Sequence, residues 1–135
     1  MRLARLSLVA QSLLYLASGI NHFWRQSFYL QIMPDHYANP ALLVQLSGVA
    51  EIAGGFGLLI PATRRFSAIG IALMLLVFFD VHIFMLSHPE RFPTVPLWIL
   101  WARIPLQFVL IGWALAYARS SKQTPADVRP ENPQK

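Results

Sequence analysis

The sequence predicts an all-α integral membrane bundle of four transmembrane helices with both termini in the cytoplasm. Three observations carry this. Four apolar stretches of about twenty residues recur, the length needed to span a bilayer core. Of the 135 residues, 56% are hydrophobic and only 13% charged, with a mean hydropathy of +0.48, which is a membrane composition. With four spans, Arg2, Arg5, Arg64, Arg65, Arg119 and Lys122 share one side, and Arg25 and Arg91 occupy the other. The positive-inside rule places the richer side, with both termini, in the cytoplasm.

Composition also excludes some function classes. The net charge is +5, but the basic residues flank apolar segments and line no soluble face, so no nucleic-acid partner is expected. The chain has no cysteine. That removes disulfides, thiol exchange, Cys-ligated iron–sulfur clusters and Cys-attached haem. No metal site is expected.

The first span is expected from Leu6 to Phe23. Arg2 and Arg5 precede it, but no small-x-small cleavage pattern follows, so it should persist as a helix. Residues Trp24 to Pro40 are rich in aromatics (Trp24, Phe28, Tyr29, Tyr37) and read as a segment lying among lipid headgroups. The second span runs from Ala41 to Ile60 and stops at Pro61. The short turn Pro61–Arg65 makes it an antiparallel neighbour of the third span, Phe66 to Leu86. Ser87 to Pro96 holds three prolines and reads as a loop. The fourth span runs from Leu97 to Tyr117. Residues 1–118 form the transmembrane domain, and the polar, Pro-rich residues 119–135 a disordered cytoplasmic tail. The pattern Leu13-Leu14-x-x-x-Ser18-Gly19-Ile20 echoes Leu42-Leu43-x-x-x-Ser47-Gly48-Val49. The copies run in opposite directions and fall at different estimated depths, so the echo is read as chance.

The spans carry ionisable groups, which are expensive in a bilayer and mark either a site or a bundle clamp. At about 1.5 Å per residue, Glu51 lies roughly 14 Å from the non-cytoplasmic surface, and Asp80 and Arg103 roughly 10 Å. His82 is shallower and His22 lies near the boundary. All fall in one half of the bilayer, as a shared polar pocket would require. Gly48 and Gly55 share a stripe with Glu51, and Gly54 and Gly57 extend this small surface, so Glu51 should face a neighbouring helix. Arg103 and Gln107 share a face of the fourth span, with Pro105 between them expected to free a carbonyl and kink the helix. Asp80 and His82 are about 200° apart around a helix, and Asp80 is expected inside, with His82 turned to another contact. Arg103 is expected to pair with Glu51, or failing that with Asp80. Trp98, Trp101 and Trp113 read as interfacial and packing residues.

Several stretches resemble the DoxX family of small bacterial four-helix membrane proteins. They are Ser18-Gly19-Ile20-Asn21-His22-Phe23, the run from Leu46 through Glu51 to Arg64-Arg65, Met33-Pro34, Ser87-His88-Pro89 and Arg103-Ile104-Pro105-Leu106-Gln107. The resemblance spans about residues 6 to 118, and it departs at His82, where relatives often carry Asn. It implies a multi-pass protein of the bacterial inner membrane. For some members it also implies association with quinone-linked sulfur oxidation or membrane redox complexes.

Two function classes follow. One is a subunit of a membrane redox system that holds a quinone among Glu51, Asp80 and Arg103, with His82, His22 and Gln107 nearby. With no metal or thiol of its own, such a subunit would need electrons from a partner. The other is a non-catalytic protein that assembles with or stabilises a membrane partner, its charges a clamp. A transporter would require a homo-oligomer. The sequence leaves the ligand, the partner, the oligomeric state and any enzymatic activity open.

Overall fold

The structure, a computed structural model, describes residues 1–120. It is all-helical: α1 (Arg2–Trp24), α2 (Gln26–Ile32), α3 (Pro40–Leu59), α4 (Arg64–Ser87) and α5 (Leu97–Ser120), with a 3-10 turn at Pro89–Arg91. Helices α1, α3, α4 and α5 are each long and apolar enough to cross a membrane. After Trp24 the aromatic segment forms the short α2, which packs on α1, α3 and α4. Helix α5 continues to Ser120, so the first residues of the expected tail are helical, and 121–135 lie outside the described residues. Helix α5 also runs through Pro105 without interruption.

Local chemistry sets the helix ends. Asn39 caps α3, its side-chain oxygen accepting from the Leu42 N–H at 3.2 Å, and Pro40 occupies the first turn, where a missing N–H costs nothing. At the other end of α3, Thr63 Oγ1 donates to the Gly57 carbonyl at 2.9 Å and Arg64 Nε to the Leu58 carbonyl at 2.8 Å. These bonds satisfy carbonyls that a helix terminus leaves free. The turn between them makes α3 and α4 antiparallel neighbours.

Packing is strongest between α1 and α3 and between α4 and α5, with α3 against α4 joining the two pairs. Helix α5 meets α1 near the termini, where Trp113 Nε1 (2.9 Å) and the Tyr117 hydroxyl (2.7 Å) both donate to Ser7 Oγ. Tyr15, Leu58, Ala68, Ile71, Leu75 and Ala114 form one apolar core, and Ile32, Met85, Phe92 and Leu100 a second at the opposite end. The outer surface is also apolar: Leu13, Leu46, Phe56, Phe66, Leu73 and Phe108 are all exposed. Trp98 and Trp101 are exposed too, whereas Trp113 is spent on the Ser7 contact.

Glycines fix the α1–α3 crossing. A Cβ on Gly19 would lie 2.6 Å from the Gly48 carbonyl oxygen, and one on Gly48 would lie 3.0 Å from that of Gly19 and 2.8 Å from His22 Cβ. The two glycines of the Leu-Leu-x-x-x-Ser-Gly echo therefore face each other at one level. The expectation that the echo is chance, at different depths, fails on this contact. Gly55 meets the Ser12 carbonyl and Leu16, Gly54 meets Ile71, and Gly57 meets Ser67. Ser12 Oγ also donates to the Gly55 carbonyl at 2.6 Å. By contrast, a Cβ on Gly70 or Gly112 would meet nothing within 4 Å.

Gly19→Ala should therefore destabilise the bundle by about 1–3 kcal/mol, because backbone cannot yield as a side chain can. Gly70→Ala and Gly112→Ala should be neutral or stabilising by up to about 1 kcal/mol, from helix propensity. Unfolding midpoints in detergent separate the two groups, and equal effects would contradict the crossing.

Candidate functional site

The α1–α3 crossing places His22 beside α3. Its Nδ1 lies 2.9 Å from the Val44 carbonyl oxygen, and its Nε2 lies 3.4 Å from Glu51 Oε2. A carbonyl only accepts, so Nδ1 carries the proton in that bond. One further proton between Nε2 and the Glu51 carboxyl would make the pair imidazole with carboxylic acid or imidazolium with carboxylate. Both side chains are almost wholly buried. Tyr29 of α2 stacks on the His22 ring with centroids 3.9 Å apart, and Phe78 of α4 lies beyond at 6.4 Å. Asn21 Nδ2 donates to the Tyr29 hydroxyl at 3.0 Å.

A second histidine is fixed from α5. Gln107 Nε2 donates to the Leu75 carbonyl at 2.6 Å, which turns its Oε1 toward His82 Nε2 at 3.3 Å. An amide oxygen accepts, so Nε2 of His82 carries its proton and Nδ1 is left as an acceptor in the neutral ring. That Nδ1 is buried and has no hydrogen-bond partner, and Glu51 Oε2, though 3.4 Å from His22 Nε2, likewise makes no hydrogen bond. Buried polar atoms are ordinarily satisfied, so each such atom calls for an explanation.

Arg103 is half-buried on α5. Its NH1 donates to Met85 Sδ at 3.2 Å, a soft acceptor, and among the described residues it pairs with no carboxylate. The expected Glu51–Arg103 pair is absent, because Glu51 is taken by His22. Asp80 is not the alternative. It turns away from the bundle and accepts from His36 Nε2 at 2.8 Å and from the Tyr37 hydroxyl at 2.6 Å. The expectation of Asp80 inside and His82 elsewhere is thus reversed, since the loop after α2 supplies two donors to Asp80. That bond also pushes the Tyr37 phenol above its usual value of 10.0. The phenol therefore keeps its proton for this bond at neutral pH and gives it up only above its ordinary range. Arg91 NH1 ties Asp35 of the same loop at 2.9 Å.

Five of the six residues singled out from the sequence line one cavity: His22, Glu51, His82, Arg103 and Gln107, with Tyr15, Ser18 and Tyr29 beside them. Its volume is about 580 Å³ including the open mouth, and Leu14 and Leu110 line it from α1 and α5. An adjoining chamber of about 440 Å³ shares His22, Tyr29, Phe78, His82 and Arg103, and is closed by Ile32, Met33 and Val44. Among the described residues no group of three or more His, Cys, Asp or Glu could hold a metal. Sequence reasoning missed Tyr29, because its segment was read as interfacial and no helix was expected there. It also missed the stripe Gln11, Tyr15, Ser18, His22, whose three- and four-residue steps mark one helix face.

The chain belongs to the family described as Domain of unknown function (DUF8561), whose model matches residues 11–118. The match covers α1 from Gln11 onward, all of α2, α3 and α4, and α5 to Ala118, and so every residue that lines the cavity. No curated protein and no solved structure matches the chain.

The geometry makes Glu51 and His22 the coupled pair. A double-mutant cycle of Glu51→Gln and His22→Gln should show an interaction of about 0.5–3 kcal/mol in unfolding free energy. Glu51→Gln combined with Arg103→Gln should add to within about 0.5 kcal/mol. The opposite pattern would restore the Glu51–Arg103 pairing.

Proposed function

We propose that this chain is a DoxX-like multi-pass protein of the bacterial inner membrane, with both termini cytoplasmic, that binds a quinone as part of a membrane redox system. The observation that carries this reading is Arg103, a guanidinium without a carboxylate partner among the described residues, set on a cavity shared with two histidines and a buried carboxyl. The alternative, a non-catalytic assembly or stabilising protein whose buried charges are structural, would take the His22–Glu51 pair as its clamp.

The donor set fits a quinone headgroup. Arg103 would donate to a carbonyl oxygen and favour negative charge developing there. His82 Nδ1, an acceptor without a partner, would take a hydrogen bond from the hydroxyl of the reduced form. The Glu51–His22 pair holds a proton at Oε2 or Nε2, within a shared cavity, where it could be handed to a ligand oxygen. Tyr29, stacked on His22, would give a flat ring an aromatic wall. Leu14 and Leu110 would line the way to the lipid for an isoprenoid tail. When bound, the quinone supplies two-electron chemistry, and the electrons come from a membrane redox partner.

Two outcomes test this. In thermal unfolding, a short-chain quinone should raise the midpoint of the wild type, and Arg103→Gln or Glu51→Gln should reduce that rise by at least about tenfold in apparent affinity, as expected for a charged hydrogen bond. A wild type indifferent to quinones would remove the redox reading. Reporter fusions after Ser120 should behave as cytoplasmic and those near Asp35 as exported; an exported C-terminus would sink the topology.

A further inference from the structure

Neighbouring arginines at the turn between α3 and α4 have different fates. Arg64 folds back on α3, its Nε donating to the Leu58 carbonyl at 2.8 Å and its NH2 to the Leu59 carbonyl at 3.4 Å. Arg65 is exposed and is tied by no hydrogen bond or ion pair given among the described residues. On α5, Arg119 is likewise exposed. Arg65 and Arg119 border one groove between α4 and α5, with Ile69, Leu115 and Ala118 as its apolar lining and about 640 Å³ including its open side. Two arginines from different helices thus border one apolar groove. The four described acids lie elsewhere: Glu51 with His22, and Asp35, Asp80 and Glu90 toward the opposite end.

We propose that this groove is a binding site for an anionic phospholipid, its phosphate held between Arg65 and Arg119 and an acyl chain lying along Ile69, Leu115 and Ala118. Like charges brought together repel, and a phosphodiester relieves that repulsion while accepting several charge-assisted hydrogen bonds. A free phosphate would satisfy the arginines but leave the apolar lining uncovered. A zwitterionic lipid would cover the lining but bring a second cation to the arginines. Basic pockets between helices at the cytoplasmic face are suited to anionic headgroups. The proposal rests on the membrane reading above and is independent of the quinone.

The test uses the full chain in phosphatidylcholine nanodiscs, with incorporation read first, so that failure to enter a bilayer is seen separately and itself overturns the site. Phosphatidylglycerol is then titrated in, with lipid retention read by native mass spectrometry and the unfolding midpoint in parallel. The wild type should prefer phosphatidylglycerol, and each of Arg65→Gln and Arg119→Gln should lower that preference about fivefold. Arg2→Gln with Arg5→Gln removes twice that charge near the N-terminus and should leave the preference unchanged. An equal loss in that control would make the effect diffuse electrostatics and overturn the site. Inorganic phosphate should not shift the midpoint, and a shift equal to that from the lipid would also overturn it. So would a loss of stability from Asp127→Asn with Glu131→Gln in phosphatidylcholine alone, which would put the chain's own tail in the groove.

Discussion

The contact between Gly19 and Gly48 is the constraint on which the rest of the structure depends. Without side chains on either, the α1 and α3 backbones come close enough for His22 to reach the Val44 carbonyl and Glu51. That fixes His22 with Nδ1 protonated and Nε2 on the carboxyl. Tyr29 then stacks on the fixed ring and holds α2 against the bundle. A bulkier pair of residues would part the helices and move the imidazole, the carboxyl and α2 together.

The electrostatics follow from which partners this geometry uses up. Among the described residues Glu51 lies against His22 and Asp80 is held by the loop after α2, so neither carboxylate reaches Arg103. A half-buried guanidinium resting on a thioether is an incomplete arrangement in an apolar surrounding. Gln107 adds a second incompleteness by fixing His82 so that its Nδ1 stays free. These groups meet on one cavity, lined by α1, α2, α3, α4 and α5. A helical pair that needed only to be clamped would have closed such groups on one another.

Much of this was legible in the sequence, and what was not has identifiable causes. Hydropathy located all four long helices, within a few residues, because a run of twenty apolar side chains admits few other folds. Depth along each helix was enough to gather His22, Glu51, His82, Arg103 and Gln107. Azimuth was not: Asp80 and His82 differ by half a turn, and choosing between them required knowing that His36 and Tyr37 would come back over α4. The Glu51 pairing failed for a similar reason, since His22 reaches Glu51 only through a two-glycine crossing whose sequence echo looked accidental. Helix α2 was hidden because seven residues carry too little periodicity to declare a helix against an aromatic, interfacial composition.

The central claim is that the cavity beneath Arg103 holds a quinone headgroup. The most direct measurement is mass spectrometric identification of what stays bound when the full chain is purified in its native lipid, without detergent, beside the Arg103→Gln variant. The account predicts a quinone near one per chain in the wild type and markedly less in the variant, with similar lipid in both. A wild type free of quinone, or a variant that retains as much, would contradict it.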